Sequence, residues 1–159
     1  MRYLVKLSYS GADFCGWQIQ PDAPSVQQAL ESALSTLLHA PVAVTGAGRT
    51  DTGVNAIGYV AHFDAAGELD THQLCYKLNA ILPRSVVIHE IAPAAPEFHA
   101  RFDAIRREYS FIVAVADNIG DDSSVIKIEY SAKVYLLLYR TFIVFELGHI
   151  CKPFFVGPV

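Results

Sequence analysis

The sequence predicts an α+β fold in which two helices lie on one face of an antiparallel sheet, in the order β-α-β-β-α-β. Three observations lead to this prediction. Apolar and polar residues alternate in short segments, as they do on strands that bury one face. Apolar residues recur at helical spacing in two longer segments, and a capping residue precedes each of them. Each helical segment stands between two strand segments, which is the arrangement of a split βαβ unit.

The first strand and the first helix are predicted from local patterns. Residues 2–10 alternate in polarity, so one face of the strand carries Tyr3, Val5, Leu7 and Tyr9. Ser25 and Gln28 form the S-x-x-Q pattern of a capping box, so the helix begins there and ends before Pro41. This helix buries one apolar stripe, made of Val26, Ala29, Leu30, Ala33, Leu34, Leu37 and Leu38.

The second half of the pattern contains three more strands and the second helix. Residues 42–44 and 57–63 are predicted strands. Along the longer strand, one face carries Ile57, Tyr59, Ala61 and Phe63, and these alternate with Gly58, Val60 and His62. Asp70 and Gln73 cap the second helix, and a strand over residues 86–91 follows it. The residues of this helix that we expect to point inward are Leu74, Leu78, Ile81 and Leu82.

A further long strand is predicted over residues 100–115. Alternation along this strand places Arg101, Arg107 and Tyr109 on one face, as a surface of cations and an aromatic ring. The formal net charge of the chain is −4, which is unusual for a protein that binds nucleic acid. The distribution of charge matters more than its sum. The basic segment that could bind phosphates holds His99, Arg101, Arg106 and Arg107.

The most informative stretch is a glycine-rich loop between two predicted strands, with the sequence Gly46-Ala47-Gly48-Arg49-Thr50-Asp51-Thr52-Gly53. Glycine permits positive φ and close approach of the backbone, so the loop has a special shape. The carboxylate of Asp51 lies two residues from the cation of Arg49, and we expect the arginine to keep that carboxylate ionised. A charged pair on a constrained loop is typical of a reactive site. The only tryptophan, Trp17, is interpreted as the anchor of another loop.

The loop at Asp51 has three other interpretations. A phosphate-binding loop requires GxGxxG or GxxxxGK[ST] before a helix, whereas a strand follows here. Asp51-Thr52-Gly53 is also the aspartic-protease signature, but the adjacent Arg49 would disfavour a proton shared between two carboxylates. A purely structural turn is the remaining alternative.

The stretch Gly48-Arg49-Thr50-Asp51-Thr52-Gly53-Val54 also resembles the catalytic motif of the tRNA pseudouridine synthase A (TruA) family. Four further segments match the family in order. The first is the opening of the chain, where Tyr9-Ser10-Gly11, Phe14, Gly16-Trp17-Gln18, Val26-Gln27 and Leu30-Glu31 match. The others are Leu78-Asn79-Ala80-Ile81-Leu82-Pro83, Phe98-His99-Ala100-Arg101 and Arg107-Glu108-Tyr109. The resemblance covers residues 1 to 115 and ends there. One departure is Asn55, where the family usually has His.

The resemblance implies the ferredoxin-like half of the pseudouridine synthase fold and the isomerisation of uridine to pseudouridine in the anticodon stem-loop of tRNA. It implies Asp51 as the catalytic residue and Tyr109 as the ring that packs on the flipped uracil. The other substrate-binding residues that it implies are Arg49, His99, Arg101 and Arg107. It also implies a homodimer that needs no cofactor or metal.

Composition agrees with a cytoplasmic enzyme without a metal site. Cys15, Cys75 and Cys151 are scattered and odd in number, which indicates reduced thiols and neither a disulfide framework nor a zinc site. The six histidines show no HxxxH or HExxH spacing. The N-terminus begins directly with a predicted strand, so no signal segment is expected.

The end of the chain differs from the rest. We expect residues 1–115 to form the catalytic N-terminal subdomain, and residues 117–124 to form a polar linker. Residues 116–159 are interpreted as an apolar tail, the truncated or frame-shifted remnant of a second subdomain. Arg140 and Glu146 interrupt this tail, so its uninterrupted apolar run is too short to span a membrane. Its β-branched and aromatic residues suit strands better. The alternative function is therefore a catalytically incompetent RNA-binding half-domain.

Overall fold

The computed structural model describes residues 1–116 and 125–132, with side chains as far as Tyr109. The chain divides into two compact units, Met1–Asp103 and Ala104–Val159. Elements of the first unit are β1 (Arg2–Tyr9), a short 3₁₀ turn (Gly11–Asp13), α1 (Val26–Leu38), β2 (Val44–Gly46), β3 (Ala56–Asp64), α2 (Thr71–Ile81) and β4 (Val86–Ala94). The second unit contains β5 (Tyr109–Ala116) and β6 (Val125–Ala132).

The sheet of the first unit has the strand order β2-β3-β1-β4, and every neighbouring pair is antiparallel. Each helix connects two strands that have one other strand between them, which is the split βαβ arrangement. The predicted α+β class and the order β-α-β-β-α-β are therefore confirmed.

The core lies between one face of this sheet and both helices. Alternate residues of β1 are buried, and they share one apolar cluster with the inward stripes of α1 and α2. The fully buried members of the cluster are Tyr3, Val5, Leu7, Val26, Leu30, Leu34, Ala61, Phe63 and Leu78. Burial of each large apolar side chain contributes about 1.5–3 kcal/mol, so this shared face fixes the positions of both helices.

Both helix starts agree with the sequence patterns. The Ser25 hydroxyl accepts a hydrogen bond of 3.2 Å from the backbone N–H of Gln28. The Asp70 carboxylate likewise accepts one of 2.9 Å from the N–H of Gln73. Such caps satisfy backbone donors that the first turn of a helix leaves without an intrahelical partner.

A β-bulge in β3 overturns the expectation that Ile57 shares a face with Tyr59, Ala61 and Phe63. Leu7 pairs with Tyr59 and Tyr9 pairs with Ala56, so β3 has one more residue than β1 at this point. The extra residue lies at Ile57 and Gly58, and Gly58 has φ of 66°. Ala56 packs against the core instead, and Ile57 is 95% exposed.

The inward position predicted for Ile81 is also wrong. Ile81 is exposed, whereas Leu74, Leu78 and Leu82 are buried. The buried arc of α2 also includes Cys75, which packs against the core, so Ile81 lies at the margin of that arc.

The strand predicted over residues 100–115 begins only at Tyr109. Before it, the backbone N–H groups of Phe102 and Asp103 both donate to the carbonyl of His99, at 3.0 and 2.9 Å, and form a turn. Arg101 lies in this turn and Arg107 precedes β5, so the single strand face predicted for Arg101, Arg107 and Tyr109 is wrong. Alternation of residue types was outweighed by these local hydrogen bonds.

In the second unit, β5 and β6 form an antiparallel pair whose register runs from Tyr109 with Ala132 to Ala116 with Val125. The strand β6 agrees with the strand character expected of the tail. The predicted linker and residues 133–159 lie outside the described residues. Within the part of the chain that is described, neither helix has the length and apolar character needed to cross a bilayer.

Candidate functional site

The glycine-rich stretch forms the loop of a hairpin between β2 and β3. The hairpin register pairs Gly46 with Ala61, and the N–H of Ala47 donates to the carbonyl of Val60 at 2.8 Å. Residues 47–55 therefore lie outside the sheet, between the end of β2 at Gly46 and the start of β3 at Ala56. We call residues 47–55 the hairpin loop.

Asp51 lies at a tight turn within the hairpin loop. Its carbonyl accepts a hydrogen bond of 3.2 Å from the N–H of Val54. Gly53 has φ of 79°, the positive value that the third residue of a type II turn requires. The Asp51 side chain is exposed, so the turn presents a carboxylate to solvent.

Two open clefts adjoin the hairpin loop. The larger, of about 360 Å³, is lined by Gln18, Ile19, Gln20, Arg49, Thr50 and Asp51. The smaller, of about 170 Å³, lies between β2, the start of α1 and two arginines, Arg49 and Arg101. Arg49 thus lines both clefts. It shares the larger cleft with Asp51 and the smaller cleft with Arg101.

Arg49 and Asp51, which both lie in the described part of the chain, form no direct ion pair with each other. Among the described residues, the ion pairs are Arg2 with Asp64 and Arg106 with Glu108. Arg49 and Asp51 instead line the same cleft as separate exposed groups. Both charges are therefore available to a ligand in that cleft.

The segment after β1 holds the hairpin loop in place through its backbone. The N–H of Trp17 donates to the carbonyl of Thr50 at 3.1 Å, and the N–H of Gly53 donates to the carbonyl of Phe14 at 3.4 Å. Gly16 has φ of 94°, and a Cβ there would lie 2.3 Å from the Thr50 carbonyl oxygen. Only glycine permits this close approach.

The structure gives Asn55 a specific role. Its side-chain oxygen accepts a hydrogen bond of 2.8 Å from the N–H of Gly11. A neutral histidine ring nitrogen is also an acceptor. Asn55 therefore supplies the acceptor group that a histidine at this position would also offer, and it ties the end of the hairpin loop to the segment after β1.

An aromatic cluster lies beneath the loop. It consists of Tyr9, Trp17 and Tyr59, and its ring centroids are 4.3 Å apart for Trp17 and Tyr59, 5.8 Å for the two tyrosines and 6.1 Å for Tyr9 and Trp17. Trp17 is only 3% exposed, which agrees with its interpretation as an anchor. Both tyrosine hydroxyls bond to the hairpin loop, through Gly48 and Thr50.

Arg101 is positioned by a turn over residues 98–103, which we call the arginine turn. The Asp103 carboxylate accepts from the N–H of His99 at 2.7 Å, and His99 Nδ1 accepts from the N–H of Arg101 at 3.3 Å. His99 stacks on Phe102 at a centroid distance of 4.2 Å. Neither cleft described above is lined by His99, so its expected contact with substrate stays a prediction.

Two residues of the sheet hold the arginine turn from below. His62 Nδ1 accepts a hydrogen bond of 3.1 Å from the N–H of Ala100, and Arg2 donates to the carbonyl of Phe98 at 2.9 Å. Burial lowers the pKa of the His62 ring, and the charges of Arg2 and His99 lower it further. Asp64 and Asp103 act in the opposite direction. The ring is therefore held neutral, as its acceptor role requires.

The remaining predicted residues, Arg107 and Tyr109, belong to the second unit. Tyr109 is the first residue of β5 and is 41% exposed. The structure thus brings Asp51, Arg49 and Arg101 together around two adjoining clefts, and it assigns Arg107 and Tyr109 to the other unit.

Sequence reasoning missed Tyr59, His62 and Gln18. Tyr59 and His62 were considered only for their alternation along β3, although a tyrosine or histidine in a strand can also bond a neighbouring loop. Gln18 lines both clefts, and its signal was present in the matching segment Gly16-Trp17-Gln18.

Fold and site together define an α+β domain that presents one carboxylate and two arginines on open clefts. Comparison with known families specifies the class further, because the family model described as tRNA pseudouridine synthase matches residues 7–103. This chain belongs to the tRNA pseudouridine synthase family.

Individual relatives agree. The chain is 48% identical over 113 residues to tRNA pseudouridine synthase A of Parabacteroides distasonis, covering 70% of this chain and 45% of that protein. The enzymes of the same name from Bacteroides thetaiotaomicron and Sinorhizobium fredii are also 48% identical. Those two alignments cover 72% and 69% of this chain, and 43% and 46% of the relative. The chain therefore spans less than half the length of these relatives.

Proposed function

We propose that this chain isomerises uridine to pseudouridine in tRNA, with Asp51 as the catalytic group. The observation that carries the assignment is the exposed Asp51 carboxylate, held on an anchored turn in a cleft that Arg49 also lines. Membership of the tRNA pseudouridine synthase family supports the reaction and the substrate class. Membership of this family also argues against the interpretation of Asp51-Thr52-Gly53 as an aspartic-protease signature.

The reaction explains why a positioned carboxylate is needed. The bond between C1′ and N1 breaks, the uracil rotates, and a new bond forms between C1′ and C5. N1 gains a proton and C5 loses one, so no electrons are gained or lost overall and the step requires neither a cofactor nor a metal. A carboxylate in contact with the nucleotide acts as nucleophile or as base. The target nucleotide must leave its stack to reach Asp51.

The arginines account for binding of the RNA backbone. Arg49 and Arg101 line one cleft, where two guanidinium groups can hold phosphates on either side of an extruded nucleotide. We assign substrate binding also to His99 and Arg107, and we assign to Tyr109 the packing of its ring on the uracil.

The finer assignments follow the family resemblance. We propose that the modified uridines lie in the anticodon stem-loop and that the enzyme acts as a homodimer in the cytoplasm. Residues 1–115 form the catalytic N-terminal subdomain in this proposal, and residues 116–159 are the remnant of a second subdomain. Among the described residues, no cluster of His, Cys, Asp or Glu has the composition of a metal site.

The decisive test is Asp51→Asn, which keeps the size of the side chain and removes its charge. Tritium release from uracil-labelled tRNA is expected to fall by at least about 10²-fold, the usual loss for a positioned acid or base. The affinity for tRNA is expected to stay within a factor of about two, because phosphate contacts dominate binding. Glu90→Gln is the matched control, since Glu90 is exposed on β4. Turnover that survives in Asp51→Asn would exclude Asp51 from the chemistry.

A second candidate function is an RNA-binding half-domain that is catalytically incompetent. The observation that favours it is that the family model matches residues 7–103 and leaves the rest of the given sequence unmatched. Under this alternative, the wild-type chain binds tRNA with an affinity that falls steeply with salt, and it forms no pseudouridine. Pseudouridine formed by the wild-type chain excludes this alternative, and failure to bind tRNA at low salt excludes both.

A further inference from the structure

We propose that Tyr59 and Tyr9 are positioning residues, whose hydroxyls hold the backbone of the hairpin loop and so fix the direction of the Asp51 carboxylate. This inference rests on the proposed function of Asp51. It adds two residues that do not belong to the short motif around Asp51.

Tyr59 binds the peptide groups of Gly48 with one atom. Its hydroxyl oxygen accepts a hydrogen bond of 3.1 Å from the N–H of Gly48, and the same hydroxyl donates to the Gly48 carbonyl. Both polar backbone groups of Gly48 are thus satisfied by one phenol. The backbone that leads to Arg49 and Asp51 is thereby held at a fixed distance from β3.

The ring of Tyr59 leaves room only for glycine at position 46. A Cβ on Gly46 would lie 2.2 Å from the Tyr59 hydroxyl oxygen and 2.5 Å from the Trp17 ring. Gly46 is the last residue of β2, directly before the hairpin loop. The glycine and the two rings therefore fit together as one unit at the base of the loop.

Tyr9 acts on the residue next to Asp51. The Tyr9 hydroxyl and the Thr50 hydroxyl lie 2.8 Å apart in a partly buried hydrogen bond. The Thr50 carbonyl is bonded separately by the N–H of Trp17. Burial raises the pKa of Tyr9, so this hydroxyl stays protonated and its hydrogen bond is retained at neutral pH.

These contacts bracket Asp51 along the chain. Gly48 and Thr50 are fixed before it, and Gly53 and Asn55 are fixed after it by backbone groups of the segment that follows β1. The Asp51 side chain is left to face the cleft. Since displacement of a reacting group by about 1 Å can cost about 10²-fold in rate, such fixation matters for turnover.

The two tyrosines act through the loop and not on the substrate. Neither of them lines the two clefts, and both hydroxyls are engaged with the loop. Tyr9 is 4% exposed, and Tyr59 packs on Trp17 at a centroid distance of 4.3 Å. A role in positioning follows from this geometry.

The test removes each hydroxyl and keeps each ring, with Tyr59→Phe and Tyr9→Phe in the full chain. We expect kcat for tritium release to fall by about tenfold or more in each variant, with KM within about a factor of two. Tyr3→Phe is the matched control. Tyr3 makes the same kind of bridge, accepting from the N–H of Leu69 and donating to the carbonyl of Gly67, in a loop without Asp51.

A second measurement does not depend on activity. Amide hydrogen exchange at Gly48 is expected to speed up by about tenfold or more in Tyr59→Phe, because its acceptor is lost, while Tyr3→Phe speeds exchange at Leu69 instead. If wild-type turnover is absent, the proposed function fails and exchange alone decides the positioning role. Unchanged exchange at Gly48, or an equal loss of kcat in Tyr3→Phe, overturns the inference.

Discussion

The hairpin loop and the arginine turn contribute one arginine each to the smaller cleft, yet they are held by different chemistry. The hairpin loop is anchored by neutral groups, which are the hydroxyls of Tyr9 and Tyr59, the amide of Asn55 and backbone N–H donors. The arginine turn is instead anchored by charged or titratable side chains, which are those of Arg2, His62, His99 and Asp103.

Because of this difference, the two sides of the smaller cleft are expected to respond differently to pH. The phenol, amide and peptide groups around Asp51 do not change charge between about pH 5 and pH 8. Histidine does so within that range. The geometry around Asp51 and Arg49 is therefore expected to persist under conditions that release Arg101.

The largest effect is expected from breaking the anchor of the hairpin loop with Gly11→Ala. A Cβ at Gly11 would lie 2.3 Å from the carbonyl oxygen of Val54 and 2.5 Å from the carbonyl carbon of Gly53. Both are backbone atoms, so the loop must move, and the free energy of unfolding is expected to fall by about 1–3 kcal/mol. Urea unfolding measures this change.

Gly67→Ala is the matched control, because nothing lies within 4 Å of a Cβ at Gly67. It should leave the urea midpoint nearly unchanged. A Gly11→Ala protein as stable as wild type would mean that the segment after β1 does not restrain the loop.

The next largest effect on stability is expected from protonation of His62. Burial lowers the pKa of His62 below its ordinary value of 6.5. The unfolded state therefore takes up a proton at higher pH than the folded state does, so stability is highest above pH 6.5 and falls as pH drops through the lower, folded pKa. Protonation also removes the acceptor of the Ala100 N–H, which releases the arginine turn.

Thermal unfolding measured from about pH 8 to about pH 5 tests this expectation. The variant His62→Gln should lose this part of the pH dependence, whereas His89→Gln should retain it because His89 is exposed on β4. Identical pH profiles for wild type and His62→Gln would contradict the assignment.

The smallest effect is expected from Arg2→Lys. Arg2 forms a two-pronged ion pair with Asp64, at 2.9 and 2.8 Å, and its remaining nitrogen reaches the carbonyl of Phe98. Lysine cannot make all three bonds, so the melting temperature should fall slightly, and less so at high salt because the pair is exposed. A larger loss of stability in Arg2→Lys than in Gly11→Ala would mean that the anchor of the arginine turn contributes more to stability than the anchor of the hairpin loop.

The sequence predicted the parts of the fold that depend on neighbours along the chain. The caps at Ser25 and Asp70 and the apolar stripe of α1 are local patterns, and the structure contains them. It failed at Ile57, where the partner strand decides the conformation, and over residues 100–108, where the local hydrogen bonds of the turn at His99 decide it. A window of alternating residues holds no information about a strand partner, and it does not show where a turn interrupts the alternation.

The candidate site divides in the same way. Asp51 and Arg49 were identified from one continuous stretch, whereas the contribution of Arg101 to the same cleft depends on the arginine turn. The predicted common strand face for Arg101, Arg107 and Tyr109 failed because a turn and a unit boundary separate these residues. The hydroxyl contacts of Tyr9 and Tyr59 depend on packing across the sheet, which alternation alone does not reveal.

The bulge in β3 has a practical consequence for protein engineering. The Ser8 hydroxyl accepts a hydrogen bond of 3.1 Å from the N–H of Gly58, so the surplus residue is built into the strand pair. Deleting Gly58 would leave Tyr59 opposite Leu7 and Ala56 opposite Tyr9, but it would remove the N–H that the Ser8 hydroxyl binds and straighten the strand where it meets the hairpin loop. Anyone who transplants residues 47–55 onto another scaffold must therefore carry residues 56–59 with them.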